Sequence, residues 1–358
     1  PKPSSAASDV YKRQAQRGVQ GIWRGARMIW CAWFILVRER RAGDMTGMRG
    51  VAGFVLFVCL LSCVRMPVAL ATDWAARMVE HDVAPQDTDP AIRKTDANNV
   101  AAYLPDTGES GRLLVFFGGA PSLRRSPTIP FLADALTRHY RVLMVDYTYN
   151  PPGVQLCSSG RDPCFEQYRY AKIFGGAPMP GLSIAPSEGL VSRTAAMLRY
   201  LAREWPAEHW DRYLENGQPR WGDMTVSGFS QGAGLAAFLA TRIPVGRVVL
   251  LSSPWDHYQQ TGSLAAWLSG PSATPGVRWW GMYSAHEAQA PWMAKTYAAL
   301  GLAPDHIRIV TDAAQCAPRP GVFMPNHWAV AELGCTPRDE AGRFLEQPLW
   351  DAVLGSGG

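Results

Sequence analysis

The chain has 358 residues, of which 47% are hydrophobic and 18% are charged. This composition predicts a packed globular core and excludes disordered, collagen-like and coiled-coil proteins. The formal charge of +5 comes from residues 1–71, which hold 11 Lys and Arg against 3 Asp and Glu, whereas residues 72–358 hold 24 basic and 27 acidic residues. The main part of the chain therefore lacks the basic excess typical of nucleic-acid-binding proteins, and we expect no nucleic acid partner.

Residues 45–71 have the three parts of a secretory signal peptide. Arg49 supplies positive charge, residues 51–64 form an apolar run, and Ala69-Leu70-Ala71 is a small-residue cleavage site. The apolar run is too short to span the roughly 30 Å of hydrocarbon in a membrane. We therefore expect cleavage and a secreted or periplasmic protein without a stable membrane anchor.

Residues 1–44 precede this signal, begin without Met and resemble translated cloning sequence, so we interpret them as a non-native leader. Residues 72–358 contain neither an internal repeat nor a clear linker, which predicts a single domain. Two stretches, near 150–186 and 257–276, interrupt its regular pattern. Because α/β folds bind ligands beyond the carboxyl ends of their strands, we interpret both stretches as walls of a substrate cleft, with surface insertions as the alternative.

Short apolar runs alternate with longer segments of helical periodicity from residue 112 onward. This alternation is typical of βαβ units and predicts an α/β fold with a mainly parallel sheet. The predicted strands are 113–117, 141–147, 224–228, 247–252, 277–283 and 306–310. The predicted crossover helices are 129–140, 187–205 and 232–243.

Four cysteines follow the predicted signal peptide, namely Cys157, Cys164, Cys316 and Cys335. An even number in an exported chain favours disulfides. Of the three possible connectivities we favour the two local pairings, Cys157 with Cys164 and Cys316 with Cys335. A zinc site is the alternative, but the chain has no C-x-x-C pair, and His286-Glu287 is not followed by the second His of an H-E-x-x-H motif. We therefore expect no metal.

The most informative motif is Gly228-Phe229-Ser230-Gln231-Gly232, which ends a predicted strand and begins a predicted helix. In that context G-x-S-x-G is typical of a nucleophile elbow, a tight turn that presents its serine at the end of a strand. Gly228 and Gly232 avoid bulk beside the turn, and we expect Gly234 to let the following helix approach the sheet. The motif predicts Ser230 as a nucleophile.

A nucleophilic serine requires a base, an acid that orients the base, and donors for an oxyanion. His327 lies in a loop after the last predicted strand, between Cys316 and Cys335, and is the predicted base. Glu287 follows the strand that ends at residue 283 and is the favoured acid. Asp256 follows the preceding strand and stays open as the alternative acid.

The predicted oxyanion donors are backbone N–H groups on two different segments. One is Gln231, directly after the nucleophile, and the second lies in the loop after strand 113–117, with Ala120 as the first choice and Gly119 as the second. This chemistry needs no metal or organic cofactor, and we expect none.

Between about residues 101 and 333 these features resemble the α/β-hydrolase superfamily. Gly-Phe-Ser-Gln-Gly-Ala resembles the elbow of carboxylesterases and cutinase-like enzymes, and the Gly118-Gly119 loop together with segment 247–254 resembles exported bacterial α/β hydrolases. The resemblance implies a mostly parallel sheet of about eight strands flanked by helices, and a serine esterase or lipase-like enzyme that acts on a small-molecule or polymeric ester. Two departures are the missing His-Gly before the oxyanion loop and a glutamate where aspartate is more usual, which keeps Asp256 open.

Three other functions are compatible with the same sequence. An acyltransferase would use the same Ser, His and acid with an alcohol as acceptor. Residues 232–237 match a relaxed G-x-G-x-x-A, with Asp256 about 20 residues further on, as in dinucleotide-binding proteins. A noncatalytic binding protein that keeps the fold is the third. The late position of the glycine motif and the predicted export both disfavour a dinucleotide.

Overall fold

A central sheet of eight strands organises the part of the chain that the computed structural model describes, which comprises residues 73–108, 111–119, 127, 129–317, 324–331 and 334–355. The predicted leader and signal peptide lie outside the described residues. Ala71–Gly358 forms a compact unit. Within the described ranges, no helix is long and apolar enough to cross a membrane.

In spatial order the strands are β1 (Val79–Val83), β2 (Asn99–Tyr103), β4 (Tyr140–Met144), β3 (Arg112–Phe117), β7 (Thr225–Phe229), β8 (Arg247–Leu251), β9 (Trp279–Ser284) and β10 (Ile307–Val310). Strand β2 pairs antiparallel with both β1 and β4, and the other neighbours pair parallel. The predicted mostly parallel sheet of about eight strands is confirmed. A separate hairpin pairs β5 (Leu214–Glu215) with β6 (Gln218–Pro219).

The helices, in chain order, are α1 (Asp73–Arg77), α2 (Pro85–Thr88), α3 (Pro130–Thr137), α4 (Gly153–Cys157), α5 (Cys164–Phe174), α6 (Leu190–Glu204), α7 (Gln231–Arg242), α8 (Ala290–Ala299), α9 (Pro325–Trp328) and α10 (Gln347–Leu354). They cover both faces of the sheet. Apolar residues of α5, α6 and α7 pack on one face, and those of α3 and α10 pack on the other.

Strand β3 shows why the central strands read as continuous apolar runs. Leu113, Val115 and Phe117 point into the first core, whereas Leu114 and Phe116 point into the second. A strand covered on both faces must be apolar at every position, because its side chains alternate between the faces. This double burial fixes the sheet as the rigid base from which the loops at its carboxyl edge project.

Each of the six predicted strands corresponds to an observed strand whose bounds differ by a few residues. Strands β1 and β2 were not predicted, because β1 reads Val-Glu-His-Asp-Val and β2 is short and rich in alanine. Helix α6 begins at Leu190, after a 3₁₀ turn at Pro186–Glu188, and therefore three residues later than predicted.

The two stretches interpreted as cleft walls contact one another. The first contains α4 and α5, and the second contains the 3₁₀ turn Ala266–Ser269. The Tyr258 hydroxyl of the second stretch donates to Asp162 Oδ1 of the first at 2.8 Å, and Gln259 N–H donates to the Ser158 carbonyl at 2.8 Å. The two insertions therefore form one connected layer beside the sheet.

Both favoured cysteine pairings are present. Cys157 and Cys164 join the end of α4 to the start of α5, with their Cα atoms 5.5 Å apart. Cys316 and Cys335 lie on either side of α9, with Cα atoms 4.5 Å apart. The first disulfide thus joins two helices of the first insertion, and the second joins the two segments that flank α9.

Candidate active site

Ser230 occupies the turn between β7 and α7. Its φ of 55° and ψ of −127° lie in a region that residues other than glycine rarely adopt. Ser230 N–H donates to the Leu251 carbonyl at 2.9 Å, so the turn is fastened to the neighbouring strand β8. The strained backbone that the G-x-S-x-G motif predicts is present at the serine, which is partly exposed.

The glycines around this turn are required by backbone contacts. A Cβ atom on Gly228 would lie 2.4 Å from the carbonyl carbon of Gly232, and a Cβ atom on Gly232 would lie 2.0 Å from the Phe117 carbonyl oxygen. Gly232 therefore lets α7 approach the end of β3. Gly234 corrects our expectation, because a Cβ atom there would meet the Arg169 guanidinium of α5 at 2.3 Å and not the sheet.

His327 and Glu287 form a buried hydrogen-bonded pair. His327 lies in the short helix α9, and its Nδ1 is 2.5 Å from Glu287 Oε2, with side-chain exposures of 5% and 2% respectively. With the carboxylate ionised, Nδ1 carries a proton and Nδ1–H donates a hydrogen bond to Glu287, which leaves Nε2 as the nitrogen that can accept a proton. The pair therefore has the arrangement of a base and its orienting acid.

Two further donors hold the other oxygen of Glu287. The Ser252 hydroxyl donates to Oε1 at 2.7 Å, and the Ser284 N–H donates to the same atom at 2.9 Å. Ser252 directly follows β8 and has a φ of 53°, which turns the chain sharply after the strand. Both carboxylate oxygens are thus occupied, and the acid is fixed in one orientation.

The imidazole of His327 lies beside the elbow. Its ring centroid is 4.8 Å from that of Phe229, the residue before Ser230, and 5.4 Å from that of the half-buried Trp255. The structure thus brings His327 and Glu287 together by a hydrogen bond and places them next to the turn that carries Ser230. Apolar rings on two sides restrict the access of water to the imidazole.

Asp256 lies in a different environment from Glu287. Its Oδ2 accepts a bond from Arg169 Nε at 2.8 Å, its Oδ1 accepts one from Arg169 Nη2 at 2.6 Å, and Trp267 Nε1 donates to Oδ2 at 3.0 Å. Glu287 accepts the hydrogen bond from His327 Nδ1, whereas the carboxylate of Asp256 is held by Arg169 and Trp267. Since Asp256 is bound in this way, it also does not face the glycines of the relaxed dinucleotide motif as a free carboxylate.

Two of the three predicted backbone donors, Gln231 and Gly119, belong to the described residues. Gln231 N–H lies at the start of α7, where helix N–H groups lack partners in their own helix. Gly118, which follows β3, accepts a hydrogen bond from the Tyr147 hydroxyl at 2.7 Å, and its carbonyl lies beside Gly232. This contact brings Gly119 close to the elbow, while Ala120 lies outside the described residues.

The side chain of Gln231 fastens a second loop to the elbow. Its Nε2 donates to the Tyr149 carbonyl at 3.1 Å, and its Oε1 accepts from Gly153 N–H at 3.4 Å. The side chain of the residue after Ser230 therefore holds the start of the first insertion.

Two tyrosines near Glu287 remain protonated at neutral pH. Burial raises the pKa of Tyr283 and Tyr297, and the negative charge of Glu287 raises both further. The Tyr297 hydroxyl donates to the carbonyls of Leu250 and Ser253 at 3.2 and 3.1 Å. These tyrosines thus add neutral hydrogen-bond donors, and no second negative charge, around the acid.

Among the described residues, no group of three or more His, Cys, Asp or Glu side chains could hold a metal ion. The sequence did not identify Ser252 or Arg169 as parts of this region, whereas Trp255 is one of the tryptophans expected near the cleft. Ser252 had one usable signal, its position directly after the strand next to β7. Arg169 had none, because it lies 87 residues before its partner Asp256.

No family model matches the sequence, and no curated protein matches it either. Solved structures that resemble the chain include an esterase from Pyrococcus furiosus, at 14% identity over 67% of this chain and 84% of that chain, with a TM-score of 0.37. A bacterial esterase of the hormone-sensitive lipase family is 16% identical over 76% and 84% of the two chains, with a TM-score of 0.33. A bacterial heroin esterase is 13% identical over 71% and 80%, with a TM-score of 0.34. At such identities and TM-scores the likeness carries no argument about the activity or substrate of this chain.

Proposed function

We propose that this chain, which has the α/β-hydrolase fold, hydrolyses carboxylic esters with Ser230 as nucleophile, His327 as base and Glu287 as orienting acid. The observation that carries the proposal is the buried His327–Glu287 hydrogen bond of 2.5 Å beside a serine held at positive φ. A solvated loop carboxylate would not be held by Ser252 and the Ser284 N–H as Glu287 is.

In the proposed first half of the reaction, Ser230 Oγ attacks the ester carbonyl and its proton passes to His327 Nε2. Glu287 stabilises the imidazolium that results and keeps Nδ1 protonated throughout. The negative charge that develops on the carbonyl oxygen is stabilised by Gln231 N–H and by a second donor in the loop after β3. Collapse of the tetrahedral intermediate releases the alcohol, which takes the proton from Nε2, and leaves an acyl-serine.

In the second half, water attacks the acyl-serine while His327 accepts a proton again. The acid product leaves and Ser230 recovers its proton. Gly153 and Arg169 of the first insertion contact Gln231, and the second insertion is bonded to the first, so we propose that the two insertions shape the ester-binding cleft. Rates of hydrolysis measured on esters of graded acyl length and on a polyester film would distinguish small-molecule from polymeric substrates.

We also propose that the protein is exported before it acts. Two disulfides support this, because such bonds form and persist in oxidising compartments. N-terminal sequencing of the protein recovered outside the cytoplasm should begin at Thr72. Recovery of an intact residue 45–71 segment on the exported protein would contradict cleavage at Ala71.

Covalent labelling with a fluorophosphonate tests the nucleophile directly, because only an activated serine reacts. We expect stoichiometric labelling of the native chain and none of Ser230→Ala. Ser227→Ala is the matched control, since Ser227 lies on β7, just before the elbow, but is fully buried with no hydrogen-bond partner for its hydroxyl within the described part of the chain.

The native chain and Ser227→Ala should hydrolyse a short p-nitrophenyl ester, and Ser230→Ala should not. Labelling that persists in Ser230→Ala would remove Ser230 as the nucleophile. A native chain that is folded but neither labels nor hydrolyses any ester of the panel would refute the enzymatic proposal and favour a noncatalytic binding protein.

A further inference from the structure

Arg169 is a buried cation that the ester-hydrolysis scheme does not use. It lies in the middle of α5, within the first insertion, and is 4% exposed, while its partner Asp256 is 1% exposed. Burial alone would lower the pKa of Arg169, but the charge and hydrogen bonds of Asp256 outweigh burial and raise it. Arg169 is therefore permanently charged, and its position is set by a bidentate ion pair.

The guanidinium contacts the first turn of α7 directly. Its remaining terminal nitrogen, Nη1, donates to the Gln231 carbonyl at 3.3 Å, while Nε and Nη2 hold Asp256. Gly234, one turn further along α7, is the position where a side chain would collide with the guanidinium. The absence of a side chain at Gly234 thus makes the space in which Arg169 reaches Gln231.

A buried ion pair is a weak source of stability, because the loss of hydration offsets most of the attraction between the charges. Well-packed apolar side chains in the same volume would stabilise a fold equally well. What an apolar pair could not do is donate a hydrogen bond to the Gln231 carbonyl. The property that distinguishes the Arg169–Asp256 pair from an apolar pair is therefore its hydrogen bond to the Gln231 carbonyl.

We infer that Arg169, held by Asp256, is a positioning residue that sets the first turn of α7 so that Gln231 N–H meets the developing oxyanion. The inference rests on the proposed function and deepens it. Asp256 follows β8 and Arg169 belongs to the first insertion, so the pair ties two separate segments to the residue after the nucleophile. Because the donor acts on charge that exists in the transition state, the contact affects kcat more than KM.

The second attachment between α5 and α7 provides a matched control. Arg242 Nη2 binds Glu166 Oε1, which joins the same two helices at the far end of α7. The double variant Arg242→Met/Glu166→Gln removes an ion pair between α5 and α7 but leaves the first turn of α7 untouched.

The test compares that control with Arg169→Met/Asp256→Leu, which replaces the buried pair by apolar side chains and leaves no charge unpaired. We expect the Arg169 double variant to fold, to keep KM for a short ester within about threefold, and to lose kcat by about 10- to 100-fold, the size that a small misplacement of a catalytic group produces. The control should keep kcat within twofold. Hydrogen exchange of peptide 228–236 should accelerate in the Arg169 variant alone.

If the double variant does not fold, Arg169→Lys tests the inference instead. Its single ammonium keeps the charge beside Asp256 but cannot also reach the Gln231 carbonyl in the same geometry. We expect Arg169→Lys to have a lower kcat and an unchanged KM. A folded variant of either kind with native kcat and native exchange at 228–236 overturns the inference, and so does an equal loss of kcat in the Arg242 control. Failure of the proposed function is recognised separately, by a native chain that does not label.

Discussion

The Glu287 carboxylate binds three donors, from His327, Ser252 and the Ser284 backbone, and this holds it in a single orientation. Glu287→Gln keeps the size of the side chain but removes its charge and favours the wrong tautomer of His327. We expect kcat to fall by about 10²- to 10⁴-fold with KM nearly unchanged. Steady-state kinetics with a short ester measure this.

Ser252→Ala serves as the graded comparison, because it removes one donor and leaves the charge of Glu287 in place. Its loss of kcat should be smaller, about 10-fold or less, since a single neutral hydrogen bond contributes about 1 kcal/mol. Equal activity of Glu287→Gln and the native chain would show that Glu287 does not act as the orienting acid.

Glu346 makes the stability depend on pH. Burial raises the pKa of this carboxyl from 4.5 to about 7, and the negative charge of Asp312 adds to the rise. Between pH 4.5 and 7 the folded chain keeps the proton that the unfolded chain releases, so the contribution of Glu346 to the free energy of unfolding falls as the pH rises through this window.

Glu346→Gln should therefore raise the free energy of unfolding at pH 8 by about 1 to 3 kcal/mol and change it little at pH 4.5. Urea denaturation at both pH values measures the difference. Glu340→Gln, at an exposed position, is the control and should show no such pH dependence. An equal gain at both pH values would exclude ionisation as the cause.

Single residues of the site were predictable where a motif or chain order constrains them. Ser230 follows from the glycines around it, and His327 from its place after the last strand. The sequence favours Glu287 but leaves Asp256 open, because the choice depends on which of two strand-end loops approaches the imidazole. In the structure Glu287 accepts the hydrogen bond from His327, and Asp256 is held by Arg169 in a bidentate pair.

At the scale of elements, the contact between α7 and β3 depends on one glycine. Gly232→Ala would place a Cβ atom 2.0 Å from the Phe117 carbonyl oxygen, and backbone cannot yield as a flexible side chain can. We expect a loss of about 3 kcal/mol or more in the free energy of unfolding, measured by urea denaturation, because overpacking typically costs about 1–3 kcal/mol even where side chains can adjust.

The control for this prediction is Gly222→Ala. A Cβ atom on Gly222 would meet nothing within 4 Å, so the change should stay within about 0.5 kcal/mol. Similar losses in both variants would mean that glycine is needed for reasons other than the close approach of the helix to β3.

Elements were predictable from the sequence where they form a continuous apolar run, and β2, although buried, is short and rich in alanine and was missed. Strands β3, β7 and β8 are covered on both faces and read as apolar runs, whereas β1, at one edge, alternates exposed and partly buried residues and was missed. Helices α4 and α5 were also missed, because the first insertion is punctuated by prolines and glycines that favour a loop interpretation. A disulfide and the ion pair of Arg169 hold these helices in place, and both depend on tertiary contacts.

At the scale of the whole molecule, the two disulfides differ in what they enclose. Removal of either disulfide should lower the free energy of unfolding by about 2–3 kcal/mol, as expected for short closed loops. The two double variants are Cys316→Ser/Cys335→Ser and Cys157→Ser/Cys164→Ser. When both are assayed fully folded, the Cys316/Cys335 variant should lose much more activity, because His327 lies within the loop that this disulfide closes. Thermal unfolding and kcat together test this, and equal activities would contradict it.

The two outer strands of the sheet carry charges where another strand could pair. Strand β1 includes Glu80 and Asp82, both exposed, and β10 is four residues long and includes Arg308. Short and charged borders disfavour the addition of a strand from a neighbouring molecule. If two copies of this protein associate, we therefore expect the contact to be made by helices or loops. Strand pairing between molecules should not extend the sheet, even at high protein concentration.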